Sequence, residues 1–242
     1  MPTVAMVVST IGYHWEEVFS AYKEFKAAGF NIHFYTVNGK SPKPDPNSLK
    51  PTWFLHKLGY GVPSKISPDT PAGKELQARL SKVKSVGQLD TNATDILYLP
   101  GGHGCLFDVN RNETLQRKIE QLYRNHKILS GVCHATSTFA YVQNHGKPIT
   151  RNKKITGFPD PLDRILSSAG GVHKNYLPIP FSNDSMLQQA GSKLTDWNKI
   201  WATLNPRYTR WDTPFFTGVG PKAAARTARR VIQEYHRYHT VH

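Results

Sequence analysis

Apolar and polar residues follow two different periods along this chain. Short runs of aliphatic and aromatic residues recur at Val4–Ser9, Ile32–Val37, Ile96–Leu99, Ile128–Val132 and Phe215–Thr217. They are too short for helices and apolar at consecutive positions, as strands buried on both faces are. Between them, apolar residues spaced three and four apart predict helices over Glu16–Ala28, Lys74–Lys84, Glu113–Asn125, His134–Gln143, Leu162–Ala169 and Pro221–Tyr238. Gly29 closes the first helix, and Gly220-Pro221 opens the last with proline at its first position. Strands alternating with helices predict an α/β fold, a three-layer sandwich with a mostly parallel sheet. Residues 1–242 read as one domain with insertions at about 40–90 and 170–211. Asn38–Asp69, rich in Pro, Gly and Ser, reads as a long ordered excursion, and loops of that length are often functional. Gly170–Trp211 reads as irregular and aromatic, with an extended stretch at Leu177–Pro180.

Composition narrows the setting more than the chemistry. The chain is 38% hydrophobic and 20% charged, ordinary for a soluble globular protein. Two cysteines, Cys105 and Cys133, exclude a disulfide framework. The opening residues lack a basic region and carry a short apolar run, so they read as a first strand and not as a signal peptide or membrane span. A cytoplasmic location and no membrane partner are the expectation. The net charge of +14 comes from 31 basic against 17 acidic residues. The basic residues are scattered, and their densest cluster, Arg226, Arg229 and Arg230, has no nucleic-acid motif around it. A solvated basic face is expected, without a specific nucleic-acid partner.

The chemistry concentrates at two glycine-bearing turns. In the first, the run Ile128–Val132 meets Cys133-His134-Ala135, and helix periodicity follows at once. Such a strand-to-helix turn lifts one side chain above the sheet, as in the nucleophile elbow of serine hydrolases with sulfur in place of oxygen. The adjacent helix N-terminus should acidify the Cys133 thiol. The second turn is Pro100-Gly101-Gly102-His103-Gly104 after Ile96–Leu99. Ligand sites gather at the carboxyl ends of parallel strands. Free N–H groups around Gly102 and at His134 would supply an oxyanion hole there, with His103 and Gly104 lining it. Cys105 reads as a small buried packing residue, and the His236, His239, His242 run does not make a metal site.

These two blocks, with Phe107-Asp108, resemble the ThiJ/PfpI superfamily within the class I glutamine amidotransferase-like, flavodoxin-like fold. The resemblance extends to Gly12-Tyr-His-Trp-Glu-Glu17, Asp45-Pro-Asn-Ser48, Ile155-Thr-Gly-Phe158 and Phe216-Thr-Gly218. The Cys-His pair and the added segments are most similar to its heat-shock chaperone/glyoxalase III branch. The resemblance implies a triad of Cys133 as nucleophile, His134 as base and Asp163 as acid, with Asp160 the near competitor. It also implies that Glu17 hydrogen-bonds the cysteine sulfur, while Glu16 points about 100° away around the helix. No cofactor and no metal are implied, and self-association as a homodimer is. Ala135-Thr136 stands where that branch commonly has Gly-Pro.

Three activities follow as expectations. The first is a glutathione-independent glyoxalase that turns a small 2-oxoaldehyde such as methylglyoxal into a 2-hydroxy acid (lactate) through a hemithioacetal. The second is an amidase or peptidase using the same triad on an acyl substrate. The third is a stress-response holdase chaperone or thiol sensor.

Overall fold

Successive side chains leave a strand in opposite directions, so strands apolar at every position need cover on both faces. The structure, a computed structural model describing residues 1–49 and 66–240, supplies it. In chain order the elements are β1 (Thr3–Val7), α1 (Trp15–Ala27), β2 (Asn31–Thr36), α2 (Pro46–Leu49), α3 (Pro71–Leu80), β3 (Lys84–Ser85), β4 (Ile96–Leu99), α4 (Glu113–Arg124) and β5 (Ile128–Val132). There follow β6 (Gln143–Asn144), β7 (Lys147–Pro148), α5 (Asp160–Ser168), α6 (Asn183–Gln189), α7 (Asp196–Leu204), β8 (Thr209–Asp212), β9 (Phe215–Gly218) and α8 (Pro221–Thr240).

Seven strands form one sheet in the order β3-β2-β1-β4-β5-β9-β8. All neighbours pair parallel except β8 with β9. On one face Val4, Met6, Ile96 and Tyr98 pack with Phe25 of α1 and Ala224, Ala228 and Val231 of α8. On the other, Ala5, Val7, Leu97, Leu99 and Leu129 meet Leu115, Ile119 and Leu122 of α4. Burying each large aliphatic or aromatic side chain contributes about 1.5–3 kcal/mol. The chain turns back on itself at β1, from which β2 and β4 diverge, and ligand sites belong at the carboxyl ends of strands beside such a point. The loops after β1, β4 and β5 meet there. Among the described residues no helix is long and apolar enough to cross a membrane.

Two expectations change. Gly170–Trp211 is not irregular: it holds α6, α7 and β8, and side chains cap both helices. Ser182 accepts from the Ser185 N–H at 3.0 Å and Thr195 from the Asn198 N–H at 3.3 Å. The stretch after Cys133 is a 3₁₀ helix over Cys133–Tyr141, not an α-helix from His134 to Gln143. Hydroxyls explain the tighter winding, because Thr136 and Ser137 bond back to the carbonyls of Cys133 and His134 at 2.9 and 2.8 Å. Residues 40–90 contain α2, α3 and β3, and of them 50–65 lie outside those described.

Candidate active site

Cys133 follows β5 directly with φ at +59°, a conformation that costs a non-glycine residue about 1–3 kcal/mol and persists only where neighbours enforce it. Its carbonyl is held by the Phe158 N–H at 3.3 Å as well as by Thr136. The glycine loop leaves room on the other side. A Cβ at Gly101 would lie 2.6 Å from the Cys133 Cβ, and one at Gly102, where φ is +113°, 2.5 Å from the Gly12 carbonyl oxygen and the His14 nitrogen. The backbone of this loop therefore approaches both the thiol and the chain after β1.

His134 reaches the sulfur with Nδ1 at 3.3 Å and holds Asp163 with Nε2, 2.8 Å from Oδ2 and 3.0 Å from Oδ1. The imidazole lies between the rings of Phe158 and His103, with centroids 4.7 and 4.6 Å away. Burial alone would raise the Asp163 carboxyl, yet the adjacent His134 and His103 hold it well below the usual carboxylate range. Asp160, in the first turn of the same helix, turns elsewhere. It accepts from the Ser182 hydroxyl and, at 3.2 Å, from the Asp184 N–H.

Glu17 is fully buried and hydrogen-bonded to the thiol. Its Oε2 accepts from the Gly101 N–H at 2.6 Å. Burial pushes its carboxyl up to about 8, against the pull of Gly101 and Cys133. Glu16 points away and pairs with Lys222 at 3.1 Å. The expectation of an acidified thiol is reversed. Burial, then the Glu17 charge, pushes Cys133 well above the ordinary thiol range, and the His134 N–H offsets only part of it. The site stores a thiol beside a base, not a standing thiolate.

The oxyanion expectation divides. The Gly104 N–H is already bonded to the Gly12 carbonyl at 3.0 Å, so Gly104 serves close packing. The Gly102 N–H has no partner among the described residues and borders the pocket. The His134 N–H is directed at the cysteine sulfur.

Sequence reasoning gave His103 a lining role only. Its ring in fact bridges two carboxylates, with Nδ1 3.4 Å from Asp45 and Nε2 3.6 Å from Asp163. Burial would lower the imidazole, but Asp163 and Asp45 raise it to about 9, so it is a cation at neutral pH. The sequence sets Asp45 in the block Asp45-Pro-Asn-Ser48 without indicating a role for it. His14, weighed as a metal ligand beside Glu17 and given no role, is held neutral by burial, which pushes it down to about 3. Asn110, also missed, binds the His134 carbonyl and the Ser137 and Thr138 hydroxyls at 3.1, 2.7 and 2.8 Å. Cys105 is buried and donates to the Gly102 carbonyl. His236 packs on Phe30, while His242 and the His239 side chain lie outside the described residues.

Cys133, His134, His103, Gly102 and Phe158 line a half-enclosed pocket of about 50 Å³. Among the described residues, His103, His134 and Asp163 also bring three donor atoms within 4.8 Å of one another.

This arrangement can be set beside known proteins. The family described as ThiJ/PfpI family-like matches residues 8–180. The glutathione-independent glyoxalase hsp3102 of Schizosaccharomyces pombe is 27% identical over 91% of this chain and 88% of its own. Glyoxalase 3 of Candida albicans is 29% identical over 85% of this chain and 94% of its own. In three dimensions the fold is similar to glyoxalase III from Candida albicans, with a TM-score of 0.71, 22% identity and 96% of each chain covered. The Rapid Encystment Protein of Francisella tularensis gives a TM-score of 0.73 at 21% identity, covering 96% of this chain and 98% of that one.

Proposed function

The chain belongs to the ThiJ/PfpI-like family, and on that premise we propose that it is a glutathione-independent glyoxalase that hydrates 2-oxoaldehydes such as methylglyoxal to 2-hydroxy acids. The observation that carries the reading is a buried thiol in contact with both a His–Asp pair and a carboxyl that holds its proton near neutral pH.

His134 Nδ1 takes the thiol proton as Cys133 sulfur adds to the aldehyde carbon, forming the C–S bond and leaving an oxyanion. The Gly102 N–H is placed to stabilise that charge. A proton then passes from the aldehyde carbon to the neighbouring carbonyl carbon through an enediol. Glu17 and His134, both in hydrogen-bonding contact with the sulfur, suit this two-way transfer. Water finally cleaves the thioester, returning the thiol and releasing the hydroxy acid. The sum is one water added and no oxidant used. Asp163 holds the imidazole so that Nδ1 stays free for the thiol.

Pocket size favours a small aldehyde over a peptide, because Cys133 is only 3% exposed at the base of a small cavity. The test is methylglyoxal consumption without glutathione, with lactate identified as product. Cys133→Ala should reduce turnover to background, and turnover surviving in that variant would overturn the assignment. One observation favours the holdase reading as an additional property: α7 turns Trp197, Ile200, Trp201 and Leu204 outward.

A further inference from the structure

We propose that His103, His134 and Asp163 form a binding site for a divalent ion of the zinc class, and that an ion bound there arrests the thiol chemistry. The arrest, though not the binding, rests on the function proposed above.

The donors come from three elements: the turn after β4, the elbow after β5 and the first turn of α5. His134 Nε2 lies 2.8 Å from one Asp163 oxygen and His103 Nε2 3.6 Å from the other. Tetrahedral zinc with bonds of about 2.0–2.2 Å wants its donors about 3.4 Å apart. Small side-chain shifts bring these three to that spacing. His103 Nε2 is buried with no hydrogen-bond partner within normal reach, and an ion bound there takes the place of the ring proton, so binding weakens as pH falls.

Each imidazole is also oriented from behind. Asp45 sits at His103 Nδ1, the carboxylate–histidine arrangement that fixes ring and tautomer in metal sites. Cys133 sulfur sits at His134 Nδ1. Two imidazoles and one carboxylate suit zinc, cobalt, nickel or copper better than calcium or magnesium. Both histidines line the pocket, which gives an ion a way in.

Coordination at Nε2 moves the His134 proton to Nδ1, where it faces sulfur. The ring then has no lone pair left facing the sulfur, so it cannot take the thiol proton. The ion therefore removes the base without touching the nucleophile.

Cobalt(II) titrated into the metal-free protein tests this by absorption. Expected are saturable one-to-one binding with visible d–d bands, no sulfur-to-cobalt charge-transfer band, and the same spectrum in Cys133→Ala. His103→Gln should weaken binding at least tenfold. Asp45→Asn, which removes no donor, should weaken it about 10–100-fold and guards against a misfolded His103 variant. A charge-transfer band lost in Cys133→Ala would put the ion on the thiol and overturn the site, as would the absence of saturable binding. With methylglyoxal, zinc should abolish turnover and a chelator should restore it. Binding that leaves turnover intact would overturn the arrest alone, and a protein inactive on methylglyoxal would still be judged by the cobalt spectra.

Discussion

A carboxyl that keeps its proton in the native state and loses it in the unfolded chain makes stability fall as pH rises, and Glu17 is such a group. Its folded value of about 8 stands above an ordinary value of 4.5. The contribution is therefore present below about pH 4.5 and is lost as pH climbs through 8. Glu17→Gln keeps an amide oxygen for the Gly101 N–H but removes the titration. Its urea midpoint should drop less than that of the wild type between pH 5 and 8, and parallel curves would refute the assignment. The same variant cannot relay a proton, so methylglyoxal turnover should fall by about 10²–10⁴. Legibility at this scale tracked distance along the chain. Cys133 and His134 are neighbours and could be read from one turn. The partnership of His103 with Asp45 spans 58 positions, which no local pattern encodes. Asp163 came from the family likeness, with Asp160 its near competitor.

Elements were readable where burial is uniform. Ile96–Leu99 and Ile128–Val132 have every side chain inside, so their apolar runs give their limits directly. β8 is partly exposed and carries polar residues, which hid it, and α6 and α7 announce themselves only by the caps at Ser182 and Thr195. The glycine loop is the element on which the site depends most. At Gly102 a methyl group meets backbone on two sides while φ stays positive. Gly102→Ala should cost at least about 1–3 kcal/mol in thermal unfolding and displace the Gly102 N–H. Unchanged melting and turnover would show that the loop relaxes. α7 is separable from all this. Trp197 and Trp201 are 73% and 57% exposed, so replacing both by Ser should weaken suppression of client aggregation and leave turnover within about twofold. An undiminished effect in a light-scattering assay would exclude α7 as a holdase surface.

The molecule as a whole closes its sheet by a long-range order that strand patterns cannot supply: β1 lies between β2 and β4, while β9 returns to pair with β5. Alternating strands and helices foretold the parallel sheet, but the sequence contains no record of which strand lies beside which. α1 and α8 share one face, and Lys222 at the head of α8 meets Glu16 206 positions earlier. Both side chains are largely shielded, so Lys222→Met should cost about 3 kcal/mol by leaving a buried carboxylate unpaired. A chemical denaturation midpoint equal to that of the wild type would mean that water replaces the lysine. Synthesis runs in one direction, and this pair consequently sets a schedule. Asp163 leaves the ribosome on the order of ten seconds before residue 222, at about 5–20 residues per second. Throughout that interval the nascent chain has all four proposed catalytic side chains, yet the helix bearing Glu17 lacks the partner it packs against, so chains arrested there should be inert and readily cut by protease.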